Sequence, residues 1–266
     1  MESTLSLKRS HFVEQLGFHL GWGCGEDQGD RAWTTAEERE LNFCVDSGIR
    51  QFYYPPCLPG TQTSYNWSFL QPFASLTLAS GSAVLDLPDD FGGLEGDITV
   101  TASEGLQPWP VSLYNEGRIV EAYSLLSDAT GTPMMAALKV SKDTTAIRGS
   151  RMQLWFYPEA DQSFTIQFPY YFIPDALSGA WPYPHGGAEH SETILESCLA
   201  IAEQRLDDNV QLHTMKFLER LMVSVSIDRR KKPQTLGYNR DRSDGVFWDR
   251  RSNYQNIVTV NGITPT

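Results

Sequence analysis

Apolar residues recur at helical spacing near the start of the chain. Leu5, Phe12, Val13, Leu16 and Leu20 share one face, and Gly21 and Gly23 close the run. This predicts a helix within residues 5–20 and then a loop, GWGCGEDQGD. Thr34 or Thr35, with Glu37 or Glu38 three residues on, has the form of a capping box, in which hydroxyl and carboxylate each satisfy a backbone N–H of the first turn. Leu41, Cys44, Val45, Ile49 and Phe52 continue one stripe until Pro55-Pro56, whose rings forbid further helix. A second helix of about five turns follows from that spacing.

From Tyr65 the period becomes that of strands. Leu76 and Leu78, then Val84, Leu85 and Leu87, flank the turn-forming run ASGSA, which suits a hairpin. Residues 98–101, ITVT, form another short strand, and RMQLWFYPEADQSFTIQFPYYFIP (151–174) supplies two more on either side of residues 159–162. Together these predict an antiparallel sheet or sandwich between Tyr65 and Asp175; residues 118–128 suit a short helix or a strand equally. After WPYPHGG, residues 188–230 return to helical spacing through Ile194, Leu195, Cys198, Ile201, Ala202 and Leu206, then Phe217, Leu218, Leu221, Met222 and Val225. With no Gly or Pro inside, this reads as one long helix with a break at Asp207-Asp208-Asn209, and Pro233 ends it. The last segment has few periodic apolar residues, yet Val246, Phe247, Trp248, Ile257, Val258 and Val260 are too apolar for a solvated tail. It is expected to be an arm that lies on another surface.

The predicted fold class is therefore α+β: a helical bundle of two N-terminal helices and a long C-terminal helix, with an inserted antiparallel β-sheet or sandwich and an extended C-terminal arm. The expected division is residues 1–64, N-terminal helices; 65–185, β domain; 186–232, C-terminal helix; and 233–266, arm.

Size and charge narrow the function. With 266 residues, 41% of them hydrophobic, the chain can remove roughly three quarters of its unfolded surface from water without a disulfide or metal staple. It has no continuous apolar run of membrane-spanning length, and MESTLSLKRSHF lacks the apolar core of a secretion signal, so a soluble product of a cytoplasm, with no membrane partner, is expected. Cys24, Cys44, Cys57 and Cys198 stand far apart with no C-x-x-C, which favours reduced, buried thiols. The net charge of −12 opposes a DNA-coating role, because phosphate affinity rests on Lys and Arg. Its distribution says more: residues 229–251 hold eight of the 21 basic residues against three acids, so this stretch is +5 and the rest of the chain −17.

Each chemical constellation has a structural competitor. Asp89-Asp90 would serve as an acid/base pair only if both faced one substrate; adjacent strand residues point to opposite faces, and Leu87-Pro88 before them with Gly92-Gly93 after them reads as a turn. His185 and His190, with Glu189 and Glu192 nearby, match neither H-E-x-x-H nor a cysteine-containing metal set, and acids at the start of a helix suit its dipole. GWGCG follows a helix rather than a strand, so it is no dinucleotide fingerprint, and neither G-K-[ST] nor G-x-S-x-G occurs. No catalytic, cofactor-binding or metal residue is assigned. Trp67, Trp109, Trp155, Tyr170, Tyr171, Trp181 and Tyr183 suit a sugar-stacking platform, but such residues more often fill cores and interfaces. RRKKP opens an arm with four more arginines, a segment suited to an acidic surface, including that of a neighbouring copy.

The order of motifs resembles the head-to-tail connector proteins of tailed bacteriophages, also called adaptor or neck proteins, and more remotely the tail tubular protein A of short-tailed phages. The carrying pieces are SGIRQFYYPP (47–56), NWSFLQP (66–72), LDLPDDFGG (85–93), TGTPMMAAL (130–138), LWFYPEADQSFTIQFPYYFIP (154–174), ESCLAIAEQRLDD (196–208), FLERLMVSVSIDRR (217–230) and LGYNRD (236–241). The resemblance implies a non-enzymatic virion subunit of the neck, made in the host cytoplasm and repeated as a ring, dodecameric in the family. Its partners would be other copies of itself, the portal protein, and a tail, nozzle or stopper protein, with DNA passing transiently and non-specifically through the channel. No cofactor is implied. Carried over to this sequence, the partner-binding positions are Arg229, Arg230, Lys231, Lys232, Tyr238, Arg240, Arg242, Phe247 and Trp248. Two alternatives stand beside it: a carbohydrate-binding or hydrolytic tail module built on the sandwich, and a stopper or tail-completion protein lower in the neck.

Overall fold

The computed structural model describes residues 3–57, 64–102, 108–141, 150–206 and 212–231. Residues 1–228 form one compact unit and residues 229–266 a second, of which only the last helical turn, 229–231, is described. The chain is α+β, with five α-helices and a large, mainly antiparallel sheet among the described residues.

The first helix, α1 (Arg9–His19), buries Phe12 and Leu16, while Leu5 lies ahead of it and is exposed. The second, α2 (Thr35–Tyr53), starts as its sequence dictates. Thr34 Oγ1 accepts from Glu37 N–H at 3.3 Å, and a Glu37 carboxylate oxygen accepts from Thr34 N–H at 2.8 Å. The Arg31 guanidinium, bonded to the same carboxylate, holds Glu37 well below the usual range, at about 2.

The strands follow in order: β1 (Phe73–Leu78), β2 (Val84–Asp86), β3 (Phe91–Leu94), β4 (Ile98–Ala102) and β5 (Trp109–Tyr114). A helix, α3 (Glu116–Leu125), then intervenes before β6 (Thr130–Gly131), β7 (Met135–Ser141), β8 (Arg151–Tyr157), β9 (Glu159–Ala160) and β10 (Phe164–Phe172). The chain closes its described part with α4 (Ala188–Leu206) and α5 (Leu212–Lys231).

The sheet runs β1-β10-β4-β5-β7-β8-β2, with β3 also on β10, and curls nearly into a barrel. Strict alternation on β10 turns Phe164, Ile166, Phe168 and Tyr170 inward, where they meet Ile98 and Val100 of β4 and Leu154 and Phe156 of β8. The expected hairpin of Leu76–Leu78 with Val84–Leu87 does not form. The turn itself is present, with Ser82 N–H on Ala79 O at 3.2 Å and Gly81 at φ 73°, but β1 pairs with β10 and β2 with β8, so the turn joins the two ends of the sheet. A turn signal fixes a chain reversal, and the long apolar β10 offers β1 a six-residue partner that the three-residue β2 does not.

A wholly antiparallel region is a second expectation to correct. β5 and β7 are parallel, joined by α3 as a crossover, which resolves residues 118–128 as helical through Leu125. The inner side of α3 buries Ile119 and stacks Tyr123 on Trp155 at 5.7 Å.

The helices surround a separate core. Phe12 and Leu16 of α1, Leu41, Val45, Ile49 and Phe52 of α2, Ile194, Cys198 and Ala202 of α4, and Phe217, Leu221 and Val225 of α5 pack with Trp67, whose indole N–H donates to Phe52 O at 2.8 Å. Helices α2 and α4 approach so closely at Gly48 that a methyl group there would lie 2.5 Å from Cys198 Cα. The long C-terminal helix is two, α4 and α5, which end and begin on either side of the break expected at Asp207-Asp208-Asn209; residues 207–211 lie outside the described ones. They run antiparallel, as the pairs Thr193–Ser224 at 2.7 Å and Gln204–Thr214 at 3.4 Å require. No helix among the described residues is long and apolar enough to cross a membrane. None of the four cysteines is in a disulfide; Cys44 and Cys198 are buried as expected, whereas Cys24 is half-buried and Cys57 exposed.

Candidate functional site

The site that the sequence places at the C-terminal end begins on α5. Its first turn is closed by a tertiary cap, for the Glu203 carboxylate accepts from Leu212 N–H at 3.1 Å and His213 N–H at 3.0 Å. One turn on the inner side, His213 Nδ1 lies 2.8 Å from buried Glu196. Phe217, Leu221 and Val225 form the inward stripe, and Leu212, Met215, Met222 and Val223 stand outward and exposed. Met222 was expected within the stripe, but its position along the helix turns it to the outer side.

The inward stripe ends on a carboxylate. Asp228, fully buried, accepts from Tyr65 Oη at 2.8 Å, Ser68 N at 2.9 Å and Ser68 Oγ at 2.6 Å. A carboxylate at a helix C-terminus opposes the dipole and loses hydration when buried, so it persists there by virtue of these three donors. They fasten the last turn of α5 to the chain that leads into β1. Sequence reading missed this residue. The signal was nonetheless present, because Asp228 continues the spacing 217, 221, 225 and so stands where an apolar residue is expected.

Of the predicted partner-binding positions, Arg229, Arg230 and Lys231 follow directly and are exposed on the last turn of α5, where positive charge suits the C-terminal dipole. Lys232, Tyr238, Arg240, Arg242, Phe247 and Trp248 lie outside the described residues.

The other candidates are drawn into structural roles. Asp89 and Asp90 sit in a turn closed by Phe91 N–H on Pro88 O at 3.0 Å. Arg151 spans Asp89 at 2.8 Å and Asp86 at 3.2 Å, while Asp90 lies 3.4 Å from Tyr170 Oη; burial, with the Asp90 charge beside it, pushes that phenol up. His190 lies within α4 with its ring among Phe52, Trp67 and Phe69 at 5.4–5.8 Å, and His185 packs edge-on against Phe172 at 4.8 Å. Among the described residues no group of three or more His, Cys, Asp or Glu is placed to hold a metal ion.

The aromatic set is dispersed rather than aligned. Trp67 is core to the helices, Trp109 packs on Phe164 in the sheet, and Trp155 is held between Tyr123 and Lys139 Nζ, 4.9 Å over its ring. Trp181 and Tyr183 remain exposed beside a groove of about 620 Å³. No protein-family model matches the chain, and a search of curated proteins finds no match to it.

Proposed function

We propose that this chain is a structural, non-enzymatic subunit of a virion neck: a head–tail adaptor, repeated as a ring between portal and tail, with its cationic C-terminal segment as the docking element. One observation carries the reading. A chain of −17 elsewhere concentrates +5 within residues 229–251, and this run opens on the exposed last turn of α5, directly after a buried clamp at Asp228. Opposite charge on two parts of one subunit is self-complementary head to tail, an arrangement that closes into a ring when the rotation permits. The same run, with Tyr238, Phe247 and Trp248 in or beside it, suits burial against a larger partner such as a portal. Further support comes from the carboxylates that a hydrolytic reading would use, since Asp89 is ion-paired with Arg151 and Asp90 faces Tyr170. An acidic wall facing a channel would repel phosphate and let DNA slide.

Negative-stain imaging with mass measurement, on purified protein alone and mixed with its portal, tests the proposal. Rings or a stoichiometric portal complex are expected. A monomer that never engages a portal, or glycan binding lost on Trp181→Ala, would displace it in favour of the carbohydrate-binding tail module.

A further inference from the structure

A groove of about 570 Å³ runs between α1, the loop after it, and the start of α2. Glu14, Glu26, Asp27 and Glu38 line it, with Lys8 and Arg9 as opposing charges and Trp33 as an aromatic wall. Among the described residues, none of these four carboxylates is ion-paired. Of the nearby arginines, Arg9 is bonded to Asp46 at 2.7 Å and Asn42 at 2.9 Å, and Arg31 to Glu37 at 2.9 Å. The wall is built rather than incidental. Trp33 donates its indole N–H to Trp22 O at 3.2 Å, and its ring packs so closely on Gly17 that a methyl group there would lie 2.8 Å away. Glu26 and Asp27 are held on a short 3₁₀ turn between Gly25 at φ 85° and Gly29 at φ 82°, a backbone that only glycine adopts without strain.

Carboxylates without ion pairs of their own, set around an aromatic wall, recognise guanidinium and ammonium groups by charge-assisted hydrogen bonds. The same sequence supplies such a ligand, the segment from Lys232 to Arg242 with Arg240 inside it. We infer that this groove receives the basic C-terminal segment of an adjacent copy, fastening subunits head to tail. The inference rests on the ring-subunit reading above and divides its docking set: Lys232, Arg240 and Arg242 engage the neighbouring copy, which leaves Phe247 and Trp248 for the portal.

Cys24 lines the groove and serves as the reporter. Full-length protein carrying Asn239→Cys or Ser243→Cys is prepared in isotopically heavy and light forms, mixed, oxidised with copper phenanthroline, and mapped by mass spectrometry. Heavy–light disulfides joining Cys24 to the new thiol are expected. Adding E26Q/D27N/E38Q, which preserves side-chain shape, should lower the trapping rate about tenfold, as should raising the salt to about 1 M. Disulfides confined to a single isotope, disulfides to Cys57 instead, or a trapping rate unmoved by the triple substitution would overturn the inference. Rings that close without this disulfide would remove the groove assignment alone, whereas a chain that forms no ring removes the ring-subunit reading as well.

Discussion

Asp228→Ala tests the clamp at the end of α5. The substitution removes a carboxylate that accepts three hydrogen bonds, at 2.8, 2.9 and 2.6 Å, and leaves Ser68 N–H, Ser68 Oγ and Tyr65 Oη to find other partners. A hydrogen bond to a charged group contributes about 1.5–3 kcal/mol, and a donor left unsatisfied costs about 1–3 kcal/mol. Against this, deletion abolishes the cost of burying the charge and its repulsion by the helix C-terminus. The expected net loss is about 3–4 kcal/mol, a large part of a typical domain's stability of about 5–15 kcal/mol. Tyr65→Phe removes one donor and leaves the carboxylate two, so about 1 kcal/mol is expected. Asp228→Asn should fall between them, because its amide retains one acceptor oxygen but turns two donors towards groups that are themselves donors. Urea denaturation followed by tryptophan fluorescence reads all three, with Trp67 in the adjacent core as one reporter. A loss below about 1 kcal/mol for Asp228→Ala at unchanged m-value would refute the clamp.

Gly48→Ala should cost about 3 kcal/mol, because the methyl group meets the backbone of α4 2.5 Å away and the helices must separate; thermal unfolding checks it, and a neutral result would refute the tight crossing. The Glu37 carboxyl, lowered from 4.5 to about 2 chiefly by Arg31, contributes stability that is fully present above about pH 4.5 and lost as pH falls towards 2. The gap in urea midpoint between the native chain and Glu37→Gln should therefore be constant from pH 7 to about 5 and shrink below that. Deleting residues 233–266 should leave a cooperatively folding protein that no longer joins portal complexes in a pull-down; retained binding would refute the docking role.

What was legible in the sequence shares one property, that the deciding contacts are local. Thr34 and Glu37 are three residues apart and bond across that interval, so the start of α2 could be read directly, and Pro55-Pro56 marks the end of the helix as plainly. The turn at 79–83 was legible for the same reason. Its strands were not, because pairing is decided by β10, about ninety residues downstream, and by β8. The crossover helix α3 was ambiguous because a run of only ten residues leaves helical and strand periods hard to separate, and the parallel β5–β7 pair exists only once that helix is known.

The candidate site divides along the same line. Charge asymmetry is a sum over the sequence and needs no fold, so the basic run at 229–251 was visible at once. The surface proposed to receive it was not. Glu14 lies on α1, Glu26 and Asp27 on the turn after it, and Glu38 on α2, and no window of sequence sets them around Trp33. Asp228 shows how such long-range facts can still leave a local trace. A charged residue on an otherwise apolar helical stripe is either exposed by a twist of the helix or buried with donors, and the absence of Gly and Pro from α5 removes the first alternative. The residue that breaks the pattern is therefore the one for which partners should be sought.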